Sequence, residues 1–106
     1  MNNKQFVKDL RKMLRGMGFK ATYSNANSNF SEVVVPFGGD LELNIWLGRR
    51  AKCRARMVRS GCVTAFVQNT VERTRSEFKR CRVDSPELFQ VLGELLQIDR
   101  DEVVYS

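Results

Sequence analysis

Leu41, Leu43, Ile45 and Leu47 alternate with Glu42, Asn44 and Trp46, and this constrains the fold more than any other feature of the chain. An extended strand sends successive side chains to opposite faces, so the aliphatic row demands a core while the other row faces outward. The β-branched run Glu32-Val33-Val34-Val35-Pro36-Phe37 precedes it across Gly38-Gly39-Asp40, a reversal-prone sequence. A second alternation follows, with Ala51, Cys53, Ala55 and Met57 set against Lys52, Arg54 and Arg56. With residues 48–50 as the loop, the two alternations form a hairpin that puts Trp46 opposite Lys52, Asn44 opposite Arg54 and Glu42 opposite Arg56.

The remaining strands are shorter. Phe19, Ala21 and Tyr23 mark a first one ahead of a polar loop at 24–29, and Glu77 to Val83 reads as the last. Between them, Cys62 to Val67 is a strand with two possible inward sets, either Val63, Ala65 and Val67 or Cys62, Thr64 and Phe66.

Helical spacing appears at both ends of the chain. From Asn3 to Met17, Phe6, Leu10, Met13, Leu14 and Met17 share one face, while Lys4, Lys8, Arg11, Lys12 and Arg15 form a basic stripe opposite them. Gly16 and Gly18 suit the left-handed conformation that ends a helix. Asp84-Ser85-Pro86-Glu87 then predicts a second helix, with Ser85 as N-cap and Pro86 in the first helical position. Leu88, Val91, Leu92, Leu95 and Leu96 form its buried face, with Gly93 allowing a close approach to the sheet. Residues 99–106 form a flexible or edge-strand tail.

The expected fold is therefore α+β and a single domain over 1–106. It has an N-terminal helix, an antiparallel meander of about four to five short strands and a C-terminal helix, with both helices on one sheet face and the other face wet. The N-terminal region alternates charge with apolar residues and no run approaches a membrane span, so a soluble, cytoplasmic chain without a membrane partner is expected. Cys53, Cys62 and Cys81 are odd in number and lack metal-ligand spacing, which favours reduced thiols. The chain has no histidine, which excludes histidine-dependent nucleophile activation and imidazole-ligated metals. No metal or other cofactor is expected.

Charge is the feature that bears on function. The net charge of +6 is unevenly spread, because residues 49–82 hold eleven bases against Glu72 and Glu77 while residues 83–106 hold Arg100 against six acids. Trp46, Arg49, Arg50, Lys52, Arg54 and Arg56, supported by Arg80 and Arg82, form the candidate binding set. Cations at period two can meet successive phosphates, and an indole offers a stacking face. The plainer reading of such a row is a solvated sheet face that deters edge pairing.

For catalysis, Glu77-Phe78-Lys79 is similar to the E-x-K element of the PD-(D/E)xK nuclease family, which implies a carboxylate-held divalent cation and a lysine near the attacking water. That likeness spans three residues, with Asp40 and Glu42 as the nearest acids at the strands predicted upstream. Cys81, between Arg80 and Arg82, is either a small strand residue or a thiol activated by its neighbours. The chain is expected to be a non-catalytic binding module whose partner is nucleic acid or an acidic protein surface. The alternative is an interaction protein, such as a phage-type inhibitor docking on a host nuclease or nucleic-acid-handling complex.

Overall fold

The structure is a computed structural model and describes residues 3–24, 30–48 and 61–106. Helix α1 (Asn3–Gly16) leads into β1 (Thr22–Ser24), β2 (Phe30–Gly38), β3 (Leu41–Gly48), β4 (Cys62–Asn69), β5 (Thr74–Arg75) and β6 (Lys79–Arg82). Helix α2 (Leu88–Leu95) and a 3-10 turn at Arg100–Glu102 follow. All strand pairs are antiparallel in the order β1-β2-β3-β4-β5, with β6 also on β4. This is the α+β meander that the alternation predicts.

One hydrophobic core accounts for the placement of both helices. Val33, Val35, Leu43, Ile45, Leu47, Val63, Ala65 and Val67 are at most 1% exposed and share one sheet face. Against that face pack Phe6, Leu10 and Leu14 of α1 and Leu88, Leu92 and Leu95 of α2. The rings of Phe6 and Phe89 lie 6.0 Å apart and join the two helices. The inward set of β4 is thus Val63, Ala65 and Val67.

The helix boundaries follow from backbone chemistry. At the end of α1, Gly18 adopts φ +86 while the Phe19 N–H donates to Leu14 O at 2.9 Å and the Gly18 N–H to Arg15 O at 3.0 Å. These two bonds are a Schellman closure, and Phe19 packs against the core as the motif requires. Helix α2 begins later than predicted. The Ser85 hydroxyl accepts from the Glu87 N–H at 3.3 Å across a turn, so the serine caps that turn and helical geometry starts at Leu88. A Cβ built on Gly93 would meet nothing within 4 Å, which removes the predicted close approach.

The predicted hairpin does not form. Both edges of β3 are occupied, with Trp46 opposite Glu32 on β2 and Thr64 on β4, Asn44 opposite Val34 and Phe66, and Glu42 opposite Pro36 and Gln68. Residues 51–57 therefore have no free edge of β3 to pair with. They lie outside the described residues, in the connection between β3 and β4. Alternation showed that 41–47 is a strand, but it carries no information about which neighbour a strand takes.

Strands β5 and β6 share the other edge of β4, separated by a bulge. There the Ser76 N–H donates to Val67 O at 2.8 Å, and the Ser76 hydroxyl accepts the Val67 N–H at 2.9 Å in place of a backbone carbonyl. Ser76 is buried as a result. The tail returns along β5, where Arg75 and Tyr105 exchange backbone hydrogen bonds of 2.7 and 2.9 Å.

Candidate functional site

The sheet face turned away from the helices is not the wet polar row that the sequence suggests. Even-numbered residues of β3 and β4 point to it, so Trp46 and Phe66 lie on the same side, joined by Phe78 from the bulge. Ring centroids are 4.9 Å apart for Trp46 and Phe66 at 79°, and 5.1 Å apart for Phe66 and Phe78 at 73°. Such edge-to-face geometry places positive ring edges on negative ring faces. Phe66 is 5% exposed, while Trp46 and Phe78 are half-buried. The indole Nε1–H donates to the Glu32 carboxylate at 2.9 Å, which fixes the ring across the β2–β3 pair.

Arginines border this cluster. The Arg75 guanidinium lies 4.0 Å from the centroid of Phe78 and 5.7 Å from that of Tyr105, and the Arg80 guanidinium lies 5.8 Å from Phe78. These are cation–π distances. All twelve Asp and Glu side chains belong to described residues, and none forms an ion pair with Arg75 or Arg80. At the other end of the face Gln68 lies between Glu42 on β3 and Arg75 on β5, and the Asn44 amide donates to Gln68 at 3.4 Å.

Three of the sequence-predicted site residues are described, and register brings them to one end of this face. Trp46 pairs with Thr64, Thr64 with Arg80, and Cys62 with Arg82. Arg80 and Arg82 are exposed, and Arg82 also reaches Asp84 at 3.3 Å in solvent. Arg49, Arg50, Lys52, Arg54 and Arg56 lie outside the described residues. Their segment leaves the sheet at Gly48 and re-enters at Gly61, next to the Trp46, Arg80 and Arg82 end.

The basic stripe of α1 is not part of this surface. Lys8, Arg11, Lys12 and Arg15 are exposed on a helix that packs on the opposite sheet face. It is the solvated side of an amphipathic helix.

Phe66, Phe78, Arg75 and Tyr105 were not candidate site residues. The available signal was Phe78 lying between Arg75 and Arg80 in one short stretch. That signal becomes spatial only through the bulge at Ser76, which aims Phe78 across β4.

The catalytic and thiol candidates sit elsewhere. Glu77 and Lys79 meet each other at 3.7 Å, largely exposed, and Asp40 is turned to Arg100 at 2.8 Å. Lost hydration pushes the Asp40 carboxyl up, but the Arg100 hydrogen bond, its own backbone, the Arg100 charge and Asn69 outweigh this and hold it below its ordinary value. Among the described residues no three metal-ligating side chains converge. Burial pushes the Cys81 thiol up and the Glu87 charge adds to that, opposite to activation by its arginine neighbours. Among the described residues no helix is long and apolar enough to cross a membrane. No protein family, curated protein or solved structure matches the chain.

Proposed function

We propose that this chain is a small non-catalytic module that binds nucleic acid through the Arg-rich connection 49–60 together with Trp46, Arg80 and Arg82. One observation carries the reading. The connection holds six bases and no acid, and both of its ends join the sheet at the end that carries Trp46, Arg80 and Arg82. Like charges at such density repel one another, and a polyanion relieves that repulsion while releasing its own counterions. Five of the six bases are arginine, whose planar fork grips phosphate oxygens in pairs.

The double variant Arg54→Glu and Arg56→Glu tests the reading. Binding to DNA and RNA should weaken by a similar factor whatever the sequence, because phosphate contacts position a strand without reading it. Unchanged affinity would remove the connection from the interface. A partner that survives nuclease digestion, with no affinity for nucleic acid, would instead assign the surface to an acidic protein.

A further inference from the structure

Arg75, Phe78 and Tyr105 extend the candidate surface beyond any residue the charge pattern singles out. Trp46, Phe66, Phe78, Arg75 and Tyr105 form a continuous row across β3, β4, the bulge, β5 and the returning tail, with neighbouring groups 4.0 to 5.7 Å apart. Within the row Phe66 is 5% exposed and Tyr105 is 46% exposed. Arg75 lies over the Phe78 ring at 4.0 Å, and its Nη1–H donates to the Ser76 carbonyl at 3.0 Å. With no carboxylate paired to it, its charge remains available to an anion.

We infer that this row selects single-stranded over double-stranded nucleic acid, with bases stacking on Tyr105 and the Arg75 guanidinium, which Phe78 supports from beneath, while Arg80 meets the backbone. The inference rests on the proposed function and names its substrate class. Its physical basis is what each form of nucleic acid exposes. A duplex presents phosphates and groove edges, and its base faces are buried in the stack, so planar groups on a sheet gain nothing from it unless base pairs open. A single strand offers a π-face at every nucleotide, and stacking on aromatic rings or guanidinium planes is tolerant of sequence. A surface built only to hold phosphate needs charge alone, for which a lysine ammonium serves and an ordered guanidinium–ring row is superfluous.

The test is a titration of native chain, Tyr105→Ala and Arg75→Lys with a single-stranded oligonucleotide and its duplex at near-physiological salt. It is read by anisotropy and by quenching of Trp46, the sole tryptophan. Tyr105→Ala removes an exposed ring and leaves the backbone bridge to Arg75, so it keeps the test valid if Arg75→Lys fails to fold. Arg75→Lys preserves charge and loses planarity. The inference predicts tighter binding of the single strand, a loss of roughly tenfold in single-strand affinity for each variant and little change for the duplex. Equal affinity for both forms, unaffected by either variant, would overturn the inference and leave the nucleic-acid reading standing. Absence of binding to either form would overturn both.

Discussion

The two faces of the sheet are made from the same strands yet built from different chemistry. The helix-covered face is aliphatic, with Leu43, Ile45 and Leu47 alternating along β3 and Val63, Ala65 and Val67 along β4, all at most 1% exposed. The opposite face joins Trp46, Phe66 and Phe78 edge to face and finishes in unpaired arginines. Aliphatic burial is non-directional and needs only volume and exclusion of water. Rings and guanidinium groups hold one another in defined orientations while keeping part of their surface available. The first face supplies stability, and the second is buried at Asn44, Thr64 and Phe66 and opens to solvent at Arg80, Arg82 and Tyr105.

Substitution on the two faces should separate these roles. The largest effect is expected for Ile45→Ala, which leaves a cavity in the fully buried core. A loss of about 2–5 kcal/mol in chemical denaturation is predicted. A loss below 1 kcal/mol would show that the inner face is loosely packed. Arg80→Ala, by contrast, removes an exposed cation from the outer face and should change stability by no more than about 0.5 kcal/mol. It should nonetheless flatten the salt dependence of nucleic-acid binding.

The helix layer allows finer tests of the same contrast. Gly18→Ala forces a side chain into the left-handed conformation at φ +86 and should cost about 1–2 kcal/mol, read as a lower melting temperature. Gly93→Ala should stabilise by about 1 kcal/mol, since α2 has open space at that position. A destabilised Gly93→Ala would mean that α2 lies closer to its neighbours than described. The smallest effect is electrostatic. Asp40 is held below its ordinary pKa by Arg100, so its contribution is present above that ordinary value of 3.8 and is lost as pH falls through the folded value. Acid unfolding of Asp40→Asn should therefore begin from a less stable protein near neutral pH and show a shallower decline.

The fold was legible because it rests on periodicity. Phe6, Leu10 and Leu14 announce a helix, Leu43 and Ile45 announce a strand, and both call for the same core. What sequence could not show was pairing. The alternation at 51–57 looked like the natural partner of β3, yet β4 takes that edge after a long connection, because hydrophobic pattern sets the face of a strand and not its neighbour. The start of α2 shifted for a related reason, since Ser85 can cap a turn as readily as a helix.

The candidate surface was legible only in part. Charge density identified Arg80 and Arg82, and the single tryptophan drew attention to Trp46. Phe66 was hidden by the open register of β4. Arg75, Phe78 and Tyr105 were hidden because a bulge held by the Ser76 hydroxyl and a backbone bridge from residue 105 assemble them. Neither device leaves a periodic trace in sequence.

The most direct test of the central claim is the affinity of the native chain for a short single-stranded oligonucleotide, measured from low to near-physiological salt. The account predicts that log K falls linearly with log salt, with a slope reporting several phosphate contacts, and that binding remains measurable at the upper end. Binding that is absent throughout, or that does not respond to salt, would contradict it.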